Sequence, residues 1–115
     1  MDSTLPLISS EPGGAEAHSL LDMVSYQTGS VVSRTLVSRK TGTVTLFAFD
    51  KDQGLSEHTA PYDALVQVLE GEVRVTIAGR SIHLRQGEFV IMPDGKAHAL
   101  HALTKFKMLL TMIHS

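Results

Sequence analysis

From Val31 onward the chain is a succession of short apolar runs, each closed by a turn signal. The alternation is clearest in 72–77, where valine and isoleucine fall on one face and charged or hydroxyl residues on the other. Apolar residues three and four apart, which an amphipathic helix requires, do not recur in any long segment after Val31. This pattern predicts an all-β barrel or sandwich. The predicted strands are 31–37, 43–49, 64–69, 72–77, 81–84, 88–92, 97–103 and 105–113.

Length and composition set the number of domains. The chain has 115 residues, of which 43% are hydrophobic and 19% charged, and this fits one ordinary globular domain. Residues 1–18 are rich in Ser, Pro, Gly and Glu and predict a flexible N-terminal arm, so the barrel domain is expected at 19–115. At the start of that domain, 19–24 predicts one short helical turn or an extended edge piece.

Charge and cysteine content exclude several classes of function. The formal net charge is -2 without any block of like charge, so nucleic acid is not an expected partner. No run approaches the roughly 18 apolar residues that span a bilayer, so no membrane interaction is expected. The absence of cysteine excludes disulfides, thiol nucleophiles and cysteine-type zinc sites. The first residues lack the basic and apolar stretches of a secretory signal, and we therefore expect a cytoplasmic location.

Two histidine-containing stretches stand out within the strand pattern. The first contains His58 and ends at Gly71, and the second begins at Gly87 and ends at His98. Gly71 stands between two β runs, where a positive φ is needed to reverse the chain. Both stretches therefore have a physical place in an all-β fold before any resemblance is considered.

These stretches resemble the two motifs of the cupin family, over roughly residues 42–113. His58 and Gly71 match the first motif, whereas Ala60 and Ala64 stand where the family carries a second His and a Glu. In the second motif Ala102 replaces an Asn. The positions of that motif that match are Gly87, Pro93, Gly95 and His98. The resemblance implies a single-domain cupin, a jelly-roll barrel of RmlC-like type with a pocket lined by its central strands.

The resemblance also implies a pocket with a reduced set of metal ligands. His58 and His98 are the implied ligands of a divalent transition metal, because Ala60 and Ala64 have no donor atoms. Two imidazoles without a carboxylate fall short of the usual facial triad. Strand alternation gives Tyr62 the same inward parity as His58, so its hydroxyl is a further candidate for the pocket.

The same alternation sets aside other polar residues near the pocket. Asp63 and His101 have outward parity, and only a register shift or a bulge would bring either of them round. The remaining histidines, His18, His83 and His114, are expected to be ordinary hydrogen-bonded core or surface residues.

The flanking apolar and charged residues predict ordinary strand faces. Met92, Met108 and Met112 predict a soft apolar core or pocket lining. Lys105 and Lys107 alternate with apolar residues, which predicts a solvated strand face.

Three functions remain open at this point, and no catalytic residue is assigned; the third is a stress- or storage-type structural protein, which the short chain permits but no residue specifically supports. The first is a binding or sensing module without turnover, in which His58, Tyr62 and His98 bind a small molecule and the imidazoles hydrogen-bond its carboxylate or carbonyl. The second is a metal-dependent enzyme of small dioxygenase or isomerase type, in which water, Tyr62 or substrate completes a two-histidine centre. The resemblance implies a homodimer, and the N-terminal arm and 31–37 are candidates to pair across its interface.

Overall fold

The structure is a computed structural model that describes residues 15–114. Most of the predicted arm at 1–18 therefore lies outside the described residues. The described chain contains one short 3-10 turn, Leu20–Asp22, within the segment where a helical turn was one of two predictions. Its strands are β1 Val31–Arg39, β2 Gly42–Phe49, β3 Gly54–His58, β4 Asp63–Glu70, β5 Glu72–Ile77, β6 Arg80–Arg85, β7 Phe89–Met92, β8 His98–Ala102 and β9 Phe106–Ile113.

The strands form two antiparallel sheets. The first has five strands in the order β1-β2-β9-β4-β7, and the second has four in the order β3-β8-β5-β6. Apart from the consecutive pairs β1–β2 and β5–β6, neighbours within each sheet come from distant parts of the chain, as in a jelly roll. Residues of both sheets form one buried cluster, in which the fully buried Phe49 and Phe106 rings stack at 4.5 Å between centroids. The predicted all-β jelly-roll fold is confirmed.

The structure contains one strand that the sequence pattern did not predict. This strand is β3, Gly54–His58, and all its residues except one are exposed. Its sequence has a single apolar side chain, Leu55, so there is no alternation to detect. The strand forms because it pairs with β8, and Gly54 makes the close approach possible: a Cβ there would lie 2.2 Å from the carbonyl oxygen of Leu100.

The segment before β1 covers part of the outer face of the five-stranded sheet. Its Val24 joins Leu36, Leu46 and Ala48 in a second buried cluster. Lys107 donates from Nζ to the carbonyl oxygen of Leu21 at 2.6 Å and is only 9% exposed. The prediction that Lys107 lies on a solvated face is therefore wrong, because the N-terminal segment covers it. Among the residues that the structure describes, no helix is long and apolar enough to cross a membrane.

Candidate functional site

A cavity of about 50 Å³ lies inside the barrel. Three polar side chains face it, those of His58, Tyr62 and His98, which are the pocket residues that the sequence predicts. The rest of its wall is apolar and consists of Leu55, Ala60, Ala64, Met92, Leu100, Met108, Leu110 and Met112. A volume of this size admits only a few non-hydrogen atoms, since one water needs roughly 10–15 Å³ by the same kind of measure.

A β-bulge turns His58 into this cavity. Leu55 pairs with Leu100 and His58 pairs with His98, so β3 carries one residue more than β8 between the two pairs. In a regular strand Leu55 and His58 would face opposite sides, because they are three residues apart. The extra residue brings both to the cavity wall, a common role of bulges beside functional sites.

The two imidazoles meet edge to face at the polar side of the cavity. Their Nε2 atoms are 3.1 Å apart, and the ring centroids are 4.3 Å apart at 70° between planes. His98 is 4% exposed, whereas His58 lies on an edge strand and is exposed. The pair therefore connects the buried cavity with the outside of the barrel.

Backbone carbonyls fix the tautomers of both rings. His58 Nδ1 lies 2.8 Å from the carbonyl oxygen of Ser56, and His98 Nδ1 lies 3.2 Å from that of Lys96. A carbonyl only accepts, so each Nδ1 carries the proton and donates. In the neutral rings both Nε2 atoms then present lone pairs to the same small region. This arrangement requires an electron-pair acceptor: a proton, a hydrogen-bond donor of a ligand, or a metal ion.

Burial disfavours a proton on His98. Desolvation lowers the pKa of His98 below its ordinary value of 6.5, the hydrogen bond to Lys96 opposes this, and the neighbouring His58 lowers it further. At neutral pH His98 is therefore an uncharged acceptor. A ligand hydroxyl suits such a pair better than the carbonyl that the sequence analysis considered.

The remaining polar residues near the pocket differ in whether they line it. Tyr62 lines the cavity, and its ring packs on that of His114 at 4.5 Å. Asp63 is exposed and accepts a hydrogen bond from the backbone of Asp94 at 2.9 Å. His101 lies 3.4 Å from the carboxylate of Asp52, on the other face of β8.

The histidines set aside in the sequence analysis have partners of their own. His83 lies 2.7 Å from a carboxylate oxygen of Glu72, and His18 lies 3.8 Å from that of Glu16. His114 Nδ1 donates to the carbonyl oxygen of Lys40 at 3.1 Å. None of the three lines the cavity.

The cavity fits the divalent centre of metal-binding cupins only in part. The separation of 3.1 Å is close to that of two imidazole nitrogens each about 2.1 Å from one ion. Hydrogen bonds from Nδ1 to carbonyls are also the usual support of metal-binding histidines. However, within residues 15–114 there is no group of three or more His, Cys, Asp or Glu that could hold a metal. The donor set lacks both the third imidazole and the carboxylate.

Three methionines, for which the sequence left core packing and pocket lining open, belong to the cavity wall. Met92, Met108 and Met112 all line the cavity beside the histidines. The periodicity of β7 and β9 places them on the inner face, but it does not distinguish a cavity wall from a filled core. Only the register of these strands shows which of the two they form.

Comparison with known proteins agrees with the fold. A family model of the cupin domain matches residues 45–114. A conserved protein of unknown function from Streptococcus pyogenes is 32% identical, with 98% of each chain covered and a TM-score of 0.86. A cupin superfamily protein from Desulfitobacterium hafniense is 25% identical, with 95% of each chain covered and a TM-score of 0.83.

A third similar structure is a conserved barrel domain protein of the cupin 2 type from Leptotrichia buccalis. It is 36% identical over 81% of this chain and 45% of its own, with a TM-score of 0.79. No curated protein matches the chain. The family model spans more than half of the sequence and the architecture agrees with it, so this protein belongs to the cupin family.

Proposed function

We propose that this cupin binds a compact ligand in its barrel cavity, anchored at the Nε2 atoms of His58 and His98. The observation that carries the proposal is the convergence of two lone pairs whose direction is set by two separate backbone carbonyls. The apolar wall then accommodates a short hydrocarbon body, and Tyr62 adds a hydroxyl at the polar end. The ligand has few atoms, because pockets for drug-sized ligands measure roughly 300–1,000 Å³.

The chemistry of the anchor favours binding over turnover. An unprotonated Nε2 atom accepts a hydrogen bond, so a ligand hydroxyl or a protonated acid is the group that this anchor recognises. The alternative is a metal-dependent enzyme of dioxygenase or isomerase type, in which His58 and His98 hold a divalent ion. It would need ligands beyond these two, and Tyr62 is the third oxygen or nitrogen donor that lines the cavity. We therefore propose a binding or sensing module.

The experiment is an NMR titration of the metal-free protein with butanol and, separately, with butyrate. Butanol should produce a saturable shift of the His58 and His98 imidazole signals, while the signals of His83 outside the cavity stay in place. Ionised butyrate, which has no proton to donate, should produce a much smaller shift. In a His58→Ala variant the response of His98 should weaken strongly; β3 should keep its place because His58 is exposed. Signals of His58 and His98 that move no more than those of His83 would refute the proposal.

We also propose that the protein is a homodimer in the cytoplasm. Phe89 and Ile91 are 60% and 52% exposed on β7, an edge strand of the five-stranded sheet. Ile113, on β9 and 61% exposed, lies on the same outer face. Exposed apolar residues clustered on a sheet face are typical of an interface. The strand β1, which contains the predicted pairing segment 31–37, is the other edge of this sheet.

A further inference from the structure

The cavity has a second set of donor atoms beside the imidazoles. Met92, Met108 and Met112 line it, and these are three of the five methionines in the chain. Ala64 pairs with Met92 on one side and with Met112 on the other. Laterally paired residues share a face of the sheet, so the two side chains flank Ala64 on the inner face. Thioethers therefore stand beside the position where metal-binding cupins carry a carboxylate.

We propose that the cavity binds the soft monovalent cation Cu(I) through His58, His98 and the thioethers of Met92 and Met112, in preference to divalent ions. This inference rests on the proposed function of the cavity as a binding site, and it adds a metal ion as a second occupant of the same two histidines. It follows because the cavity lacks the third imidazole and the carboxylate that hold the divalent ion in metal-binding cupins.

Charge is the first argument for a monovalent ion. Neutral imidazoles and thioethers bring no negative charge, and no Asp or Glu among residues 15–114 lines the cavity. A divalent ion bound there would carry two positive charges that no ligand neutralises, inside a largely apolar cavity. The free-energy cost of transferring an ion from water grows with the square of its charge. For a monovalent ion it is therefore about a quarter of the cost for a divalent ion of equal size.

Ligand softness is the second argument. Thioether ligands select Cu(I), whereas Mg, Ca and Mn prefer carboxylate, carbonyl or water oxygens. Imidazole is compatible with copper as well. The cavity joins both kinds of soft or borderline donor at one place, and its small volume of about 50 Å³ suits an ion with little or no bound water. The competing interpretation is that the methionines serve only as apolar lining.

The test is an anaerobic titration of tag-free, reduced protein with Cu(I), using bicinchoninate as a competing chelator. Expected is one equivalent of tightly bound Cu(I) per chain, and tighter binding than Zn(II) or Mn(II) under the same conditions. Met92→Leu and Met112→Leu, which keep apolar volume, should each weaken Cu(I) by about tenfold or more and leave Zn(II) affinity unchanged. Met23→Leu is the matched control, since Met23 lies outside the cavity and should have no effect.

X-ray absorption gives an independent readout. The copper-loaded protein should show sulfur as well as nitrogen neighbours, and the sulfur signal should disappear in the Met92→Leu/Met112→Leu variant. Ala64→Glu should move the preference toward Zn(II) or Mn(II), because it supplies the missing negative charge. Circular dichroism of each variant establishes that it is folded, and the single leucine variants suffice if Ala64→Glu does not fold.

Two results would overturn the inference. One is Zn(II) or Mn(II) bound as tightly as Cu(I), and the other is leucine variants that keep full Cu(I) affinity, which would make the methionines mere lining. If Cu(I) does not bind while butanol still shifts the His58 and His98 signals, the copper inference fails and the proposed function stands. If neither ligand acts on these signals, both fail.

Discussion

Gly71 and Gly79 lie in two turns in which the effect of adding a side chain can be compared. Both have a positive φ, +79° and +81°, in turns that end at the start of β5 and of β6. A Cβ on Gly79 would meet nothing within 4 Å, whereas on Gly71 it would lie 2.1 Å from the carbonyl oxygen of Lys105. The same substitution to alanine therefore separates φ strain from a steric clash.

The expected magnitudes follow from these two terms. An L-residue in the left-handed region costs about 1–2 kcal/mol, of which about 0.4–1 is offset by the reduced entropy of the unfolded chain. Gly79→Ala should thus lower the free energy of unfolding by about 0–1.6 kcal/mol. In Gly71→Ala the new Cβ would also lie 2.8 Å from the Cβ of the fully buried Phe106, so backbone and Phe106 must move. This displacement should lower the free energy of unfolding by about 1–3 kcal/mol more.

Urea unfolding followed by circular dichroism measures both variants, and thermal unfolding should show the same order. For a domain of this size 1 kcal/mol corresponds to roughly 4–8 °C in Tm. Equal destabilisation by the two variants would refute the reasoning, because it would mean that the close contact at Gly71 contributes nothing. A larger loss in Gly79→Ala would refute it more strongly.

Three further predictions follow from other parts of the molecule. Tyr26 donates to the Glu70 carboxylate at 2.5 Å, so Tyr26→Phe should cost about 1–3 kcal/mol in urea unfolding; no loss would mean that water replaces the hydroxyl. Burial lowers the pKa of His98 below 6.5, so the folded state favours the neutral ring. The stability that the neutral ring contributes is therefore fully present above pH 6.5 and is lost as the pH falls through the folded-state pKa. Imidazole NMR of metal-free protein measures that pKa, and a value at or above 6.5 would contradict the burial argument. Phe89→Lys should convert the proposed dimer to monomer in sedimentation velocity, without loss of stability per chain, because Phe89 is 60% exposed.

The sequence predicts what depends on local pattern. Alternation located every strand except β3, and the spacing of the second motif placed His98 at the start of β8 and Gly95 in the preceding turn. Tyr62, which strand parity predicted for the pocket, lies in the bend between β3 and β4 and lines the cavity. These features depend on neighbours a few residues away, so the chain itself shows them.

Other features depend on pairing between distant segments and are not visible in the sequence. The bulge that turns His58 inward exists only in the register of β3 against β8. Lys107 is buried because the segment that contains Leu21, 86 positions away, covers it, and the carbonyl of Leu21 accepts a hydrogen bond from its Nζ. Likewise, the position of Met92 beside Ala64 arises from the pairing of β7 with β4. In each case the partner is set by topology, which no local pattern contains.

The alanines in the first motif and the cavity are two aspects of one arrangement. Ala60 and Ala64 end at a methyl group, so they remove donor atoms and at the same time leave space in front of the histidines. Folding alone does not require what remains, since His58 is an exposed residue on an edge strand. Its ring is nevertheless held by a carbonyl bond and aimed, through a bulge, at the Nε2 atom of His98. Two lone pairs directed at one another are unfavourable unless something lies between them, and this favours a site shaped for an occupant.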